Sequence, residues 1–129
     1  MIEFTLNTKP VPCPRPRVTR YGRSYYPKTY TAWKAEATKD LPKNPEFFSD
    51  PVRVTISNVI PQFKTKAAAA KNKQPKGDVD NYAKSVLDLI TSAKSPIWDD
   101  DDQVVELLVT KRFAADGEEP HTEVTIENI

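Results

Sequence analysis

The apolar residues of this chain follow a two-residue period in several segments, and such alternation is typical of β-strands that cover one side of a core. Residues 2–6, 52–60 and 122–127 alternate apolar and polar side chains in this way. Residues 104–113 begin with apolar side chains on both faces, so we expect this strand to be central in the sheet. The pattern predicts four strands.

Two other segments repeat apolar residues every three or four positions, which predicts amphipathic helices. The first lies between Pro27 and Pro42, and the second covers residues 80–90. The apolar stripe of the second helix is formed by Ala83, Val86, Leu87 and Ile90. The order strand, helix, strand, helix, strand, strand predicts one small α/β (α+β) domain over residues 1–129, in which two main helices pack on a mixed sheet of about four strands.

The composition is typical of a protein of a reducing compartment. The single cysteine, Cys13, excludes an intrachain disulfide. No apolar run approaches the roughly 18 residues that a membrane-spanning helix needs. The first residues also lack the basic start and apolar block of a signal peptide. We therefore expect a cytoplasmic protein without membrane contact.

The net charge of +1 hides a strong division of charge along the chain. Residues 1–76 carry 15 Lys and Arg against 5 Asp and Glu, a balance of +10. Residues 77–129 carry 4 Lys and Arg against 13 Asp and Glu, a balance of −9. This division suits a protein that binds a polyanion with one surface and cations with another. The alternative is that basic and acidic residues on solvated faces are separated along the sequence by chance, which would give the same charge balance.

The basic residues are concentrated in two stretches. Residues 9–17 are rich in proline and must be extended, and we expect them to lie on the surface. Residues 64–76 form either a mobile basic loop or a short alanine helix flanked by loop, and a solvated linker is the alternative. If the polyanion is a nucleic acid, we expect its phosphates to contact Arg15, Arg17, Arg20, Arg23, Lys64, Lys66, Lys71, Lys73 and Lys76. Tyr21, Tyr25 or Tyr26 could stack on exposed bases, although at least one of them is expected in the core.

The acidic residues form two groups. In the first, Asp78 and Asp80 open the second helix, where either residue could act as its N-cap. Asp80, Lys84 and Asp88 share one stripe of this helix. That stripe is either a surface ion-pair face or part of a site beside the helix N-terminus, which favours phosphate.

The second acidic group is the run of four aspartates at residues 99–102, directly before the strand at 104–113. It is either a solvated turn or a cation site, because adjacent carboxylates repel one another unless they are exposed or cation-bound. Both groups offer only oxygen ligands, which suit Mg²⁺ or Mn²⁺. His121 is the sole histidine, so zinc sites and nucleophilic catalysis that depends on a histidine base are poorly supported. The spacing also excludes an EF-hand.

Taken together, the two acidic groups resemble the motifs of the RusA-type Holliday-junction resolvases. The pattern Asp-x-Asp-Asn-x-x-Lys occupies residues 78–84, a further aspartate follows at Asp88, and Asp-Asp-x-Gln occupies residues 100–103. The order of strands, helices and basic segments also agrees, so the resemblance covers nearly the whole chain.

The resemblance implies a Mg²⁺-dependent endonuclease of DNA recombination and repair. It implies a homodimer that binds four-way junctions and nicks two strands symmetrically, with no nucleotide cofactor and with a phage-like origin in a bacterial or phage-infected cytoplasm. By position, the essential carboxylates correspond to Asp78, Asp80 and Asp101, and the essential lysine corresponds to Lys84. The aspartate run leaves Asp100 as the alternative to Asp101. The other readings are a different metal-dependent nuclease, which cuts flaps or other branched DNA, and a non-catalytic DNA-binding protein.

Overall fold

A four-stranded mixed sheet forms the centre of the computed structural model, which describes all 129 residues. Its spatial order is β1-β6-β4-β5. The strands of this sheet are β1 (Ile2–Leu6), β4 (Val52–Ile60), β5 (Val104–Phe113) and β6 (His121–Asn128). A separate two-stranded ribbon consists of β2 (Arg17–Val18) and β3 (Ser24–Tyr25).

Three α-helices complete the fold, and none of them is long and apolar enough to span a bilayer. They are α1 (Lys28–Thr38), α2 (Lys66–Lys71) and α3 (Val79–Thr91), with a short 3₁₀ turn at Asp101–Gln103. The predicted α+β architecture, with a mixed sheet of four strands and two main helices on it, is confirmed. The third helix, α2, is the short alanine helix that the sequence left open.

The core lies between one face of the sheet and the helices α1 and α3. Val54 and Ile56 on β4 are fully buried, and their partners Ile126 and Val124 on β6 are buried beside them. Tyr30, Trp33 and Ala37 of α1 and the apolar stripe of α3 cover this face. The other face carries most of the polar members of the alternation, so the period of two in the sequence corresponds to a covered and a less covered face over most of the sheet. Val59, near the end of β4, is an exception, because it is buried on the second face.

Strand β5 lies at the edge of the sheet, so the prediction that residues 104–113 form the central strand is wrong. It pairs only with β4, in parallel. The apolar residues that suggested burial on both faces include Val105, Leu107 and Leu108, which are 61%, 43% and 59% exposed. The outer backbone N–H and C=O groups of β5 have no strand partner, so a further strand can pair with this edge, and the exposed apolar side chains can then be covered.

A buried asparagine joins three strands of the sheet. Asn58 on β4 is 2% exposed. Its side-chain amide donates to the carbonyl oxygen of Thr110 on β5, at 3.1 Å, and the hydroxyl of Thr122 on β6 donates to its Oδ1, at 3.1 Å. Both ends of the amide are therefore satisfied inside the core, as buried polar groups require.

We predict that Asn58→Ala lowers the free energy of unfolding by about 1–3 kcal/mol, because it removes the partner of the buried Thr122 hydroxyl and of the partly buried Thr110 carbonyl. Urea denaturation of the purified protein measures this difference. The matched control is Asn44→Ala, at an exposed loop asparagine, which should change stability by less than about 0.5 kcal/mol. Equal effects of the two changes would show that the asparagine network contributes nothing specific.

Candidate active site

Asp78 occupies the N-cap position of α3, but its carboxylate makes no capping hydrogen bond. Only its backbone carbonyl takes part, accepting the N–H groups of Asn81 at 3.1 Å and Tyr82 at 3.2 Å. Asp80 lies in the first turn of the helix and is also exposed. Both carboxylates thus stay available at the end of the helix where the backbone dipole favours negative charge.

The turn that leads into α3, residues 75–78, is held by two contacts from other elements. The hydroxyl of Tyr82 donates to the carbonyl of Lys76, at 2.9 Å, and burial raises the pKa of this phenol, so it stays a donor. The ammonium of Lys111 on β5 donates to the carbonyls of Pro75 at 2.7 Å and Gly77 at 2.6 Å. The position of Asp78 therefore depends on strand β5.

Gly77 adds a steric requirement to this turn. Its φ is +92°, and a Cβ atom there would lie 2.8 Å from the Tyr82 ring. Any other residue would strain the backbone and push the ring away. The glycine allows the chain to turn tightly against Tyr82 immediately before Asp78.

The proline-rich segment packs along α3 instead of lying free on the surface. The N–H of Cys13 donates to the carbonyl of Asn81 at 2.9 Å, and the hydroxyl of Ser85 donates to the carbonyl of Val11 at 2.7 Å. Cys13 is 6% exposed and belongs to the core. The segment is extended, as its prolines predict, and its first part braces the acidic helix.

The second acidic group is organised by Gln103. Its side-chain oxygen accepts the N–H groups of Asp99 at 2.8 Å and Asp100 at 3.3 Å, and its amide nitrogen donates to the carbonyls of Phe48 at 2.8 Å and Asp50 at 3.2 Å. Asp100 caps the 3₁₀ turn, since its carboxylate accepts the N–H of Asp101 at 2.8 Å. Asp100 therefore has a structural role that Asp101 lacks.

The 3₁₀ turn that carries Asp101 packs against α3. Burial and then the negative charge of Asp100 raise the pKa of Asp101; the charge of Asp88 adds to this, and Lys84 opposes it. The ammonium of Lys84 pairs with Asp88 at 3.2 Å, and this pairing raises the pKa of the lysine. Lys84 thus forms its ion pair towards Asp88, whereas the sequence also allowed a pair with Asp80.

The nine basic residues that were predicted to contact DNA are all exposed, and none of them forms an ion pair within the chain. Arg17 lies in the ribbon, and Arg20 lies in its connecting turn, beside Tyr21. Lys66 and Lys71 bound α2, which Thr65 caps through its hydroxyl at 3.1 Å from the Ala68 nitrogen. Positive charge without an acidic partner is available to an external polyanion.

Comparison with known proteins assigns the family. The model of the family described as endodeoxyribonuclease RusA matches residues 7–127. The chain belongs to the RusA endodeoxyribonuclease family. A relative from Bacillus subtilis (strain 168), the uncharacterized protein YqaN, is 32% identical over 147 aligned positions, which cover 99% of this chain and 96% of the relative. The resemblance seen in the motifs is confirmed.

Membership in the RusA family indicates an endodeoxyribonuclease, and the oxygen donors of the site suit a divalent metal. Repulsion among the carboxylates at Asp88, Asp100 and Asp101, which contributes to the raised pKa of Asp101, is relieved when a cation binds. In this structure no three acidic, histidine or cysteine side chains lie close enough together to hold a metal ion. The convergence of Asp78, Asp80 and Asp101 on one metal stays a prediction.

Three positioning residues of this RusA-family site were missed in the sequence, namely Tyr82, Gln103 and Lys111. In the sequence Gln103 is only the last position of the Asp-Asp-x-Gln pattern, and Tyr82 is an unspecified position of the first pattern. The role of Lys111 could have been inferred from the sequence, because alternation places it on the same strand face as Val109, which packs against the core. A lysine that alternation places on the covered face needs acceptors there.

We predict that Lys111→Met, which keeps the aliphatic stem but removes the ammonium, speeds amide exchange at Asn81 and Tyr82 by about tenfold. Hydrogen bonds to a charged group are worth about 1.5–3 kcal/mol, and their loss loosens the turn that starts α3. Hydrogen–deuterium exchange followed by NMR measures the effect. Lys94→Met, at an exposed lysine, is the control. Unchanged exchange in Lys111→Met would contradict the positioning role.

Proposed function

We propose that this protein is a divalent-metal-dependent endonuclease that resolves four-way DNA junctions by paired nicks during recombination or repair in a bacterial or phage-infected cytoplasm. One arrangement carries the proposal. The 3₁₀ turn that carries Asp101 at the mouth of β5 packs against α3. The same helix carries the Lys84–Asp88 pair and, at its N-terminal end, the exposed carboxylates of Asp78 and Asp80. Acidic metal ligands, a lysine ammonium and a helix N-terminus can each stabilise the charge that develops during phosphodiester hydrolysis.

In this proposal Asp78, Asp80 and Asp101 hold Mg²⁺ or Mn²⁺, with Asp100 as the alternative ligand in the second group. A divalent ion held by these residues would lower the pKa of a water molecule and would offset negative charge on the phosphate. Lys84 remains charged, because Asp88 raises its pKa, and its ammonium binds an oxygen of the scissile phosphate. The N–H groups at the start of α3 favour the same anion.

DNA binding rests on the unpaired basic residues. Each phosphate contact that they make releases counterions, so junction binding weakens steeply with salt. Tyr21 is 79% exposed and Tyr25 is 48% exposed, and both can stack on bases that the branch leaves open. Tyr26 packs on the buried Tyr30, with ring centroids 5.0 Å apart, but it is itself 38% exposed. The expectation that at least one of the three tyrosines lies in the core is therefore wrong.

We further propose a homodimer that pairs through β5. The free edge of this strand carries Val105, Leu107 and Leu108 into solvent. A second copy related by a two-fold axis can add its own β5 to this edge, since such an interface is made of the same patch on both subunits. Two sites in one particle suit a reaction that nicks two strands. The proline-rich segment is the second candidate for dimer contact, although part of it already packs against α3 of the same chain.

We expect Asp80→Asn to reduce nicking of a synthetic four-way junction by at least about 100-fold, since even an outer partner of a metal ligand is worth about 10–100-fold. Junction binding in Ca²⁺ should be retained or strengthened, because the change removes a negative charge. Gel assays with junction, flap and linear duplex, with Mg²⁺ or EDTA, measure both.

Asp116→Asn is the control for this experiment, because Asp116 is exposed in the turn before β6. It should leave nicking unchanged. Full activity of Asp80→Asn would refute the site assignment. Preferential cutting of flaps by the wild-type protein would instead assign a different nuclease specificity, and no metal-dependent nicking of any substrate would indicate a DNA-binding protein.

The β5 interface predicts that Leu108→Lys weakens dimerisation by about tenfold or more, because a lysine buried in an apolar contact costs more than the 1.4 kcal/mol that corresponds to tenfold. Sedimentation velocity over a concentration series measures the dimer constant. Val18→Lys places the same change at an exposed apolar residue of the ribbon and should have no effect. Dissociation by Val18→Lys alone would place the dimer contact at the ribbon.

A further inference from the structure

A cleft of about 790 Å³ opens beside the acidic helix, on the basic part of the molecule. Its walls come from α1, from the proline-rich segment, from the end of β4 and from the turn at residues 75–77. Apolar and aromatic side chains dominate the lining, among them Trp33, Phe63 and Phe113. The rings of Phe63 and Phe113 meet edge to face, with centroids 5.7 Å apart. Its size is that of a small-molecule site.

The charges around this cleft are mostly positive. Lys9, Lys64 and Lys76 contribute to the lining, against a single acid, Glu36. The ammonium of Lys76 lies 5.8 Å from the centroid of the Phe63 ring. A ligand that fits must therefore combine a flat apolar part, for the aromatic walls, with negative charge, for the lysines. Nucleotides have this combination, because their bases stack on aromatic rings and their phosphates attract lysine.

One wall of the cleft is the turn that positions the candidate active site. Pro75, Lys76 and Gly77 line the cleft, and Asp78 follows directly. A base held in the cleft therefore contacts the turn that leads directly into Asp78, the proposed metal ligand at the start of α3. Trp33 belongs to the same lining, and its indole N–H is a buried donor without a partner. The edge of a nucleic-acid base carries acceptors of the kind that such a donor lacks.

We propose that this cleft binds one unpaired nucleotide of the branched DNA, with its base among the aromatic residues and its phosphates on the lysines. The inference rests on the proposed function and adds to it a site for base recognition. A branch point supplies such a nucleotide more readily than a duplex does, because a base that is already unpaired costs little to move out of the stack.

The test uses four-way junctions in which 2-aminopurine replaces one base at a time on each side of the crossover. Ca²⁺ replaces Mg²⁺, so that the wild-type protein binds the junction without nicking it. We expect the fluorescence to change by at least about twofold at one position in each recognised strand, because the probe exchanges base stacking for aromatic side chains. Nicking of the same junctions in Mg²⁺ is measured in parallel.

Two alanines on α1 provide a matched pair of variants. Ala32 and Ala35 are both exposed, but only Ala32 lines the cleft. Ala32→Phe should fill the cleft, abolish the fluorescence change and weaken junction binding by roughly tenfold. Ala35→Phe should do neither. Phe63→Leu, which keeps apolar volume but removes the ring, should reduce the fluorescence change as well.

The possible results distinguish failure of the cleft proposal from failure of the nuclease proposal. Normal nicking with no fluorescence change at any position, or with equal changes in Ala32→Phe and the wild type, would overturn the cleft proposal and leave the nuclease proposal standing. Loss of the dimer in Ala32→Phe, without loss of the fluorescence change, would assign the cleft to a second copy and also overturn it. Absence of metal-dependent nicking by the wild-type protein would refute the proposed function and, with it, this inference.

Discussion

The ammonium of Lys111 is the link on which the arrangement of the site depends. An ammonium on the covered face of a sheet must find acceptors, and Lys111 finds two in the carbonyls of Pro75 and Gly77. These bonds join β5 to the turn that starts α3, although the partners are separated by 36 and 34 positions along the chain. The strand that carries Asp101 at its mouth therefore also places Asp78 at the helix N-terminus.

The acidic groups are held against their own repulsion by bonds that the rest of the fold supplies. Gln103 donates hydrogen bonds to the carbonyls of Phe48 and Asp50. These bonds hold the turn at residues 99–102 in place although its carboxylates repel one another. Burial and the neighbouring carboxylates raise the pKa of Asp101, and Lys84 offsets only part of this. A site that concentrates negative charge in this way is less stable alone than with a cation, which is the usual condition of sites built for function.

The four strands of the main sheet and the helices α1 and α3 were predictable because their hydrophobic periods are local, whereas the ribbon strands β2 and β3 have two residues each and show no period. The two acidic motifs could be found because each is contained in a short stretch of sequence. The position of β5 was not, since apolar side chains on both faces of a strand signal burial without saying whether another strand or a second molecule supplies it. The packing of Cys13 on Asn81 and the bonds of Lys111 were also missed. Each joins residues far apart in the chain, and no spacing rule records such contacts.

The uncovered edge and the acidic site belong to the same part of the fold, because α3 packs against β5. If two copies pair through their β5 strands, each site therefore lies beside the interface and not at the far ends of the particle. A four-way junction presents its exchanging strands around a common centre, so two sites near a two-fold axis can reach two of them in one binding event. In such a dimer Leu108 would lie in the interface and the Lys84–Asp88 pair would lie in the site beside it. Both features would then help to place the two cuts on one junction.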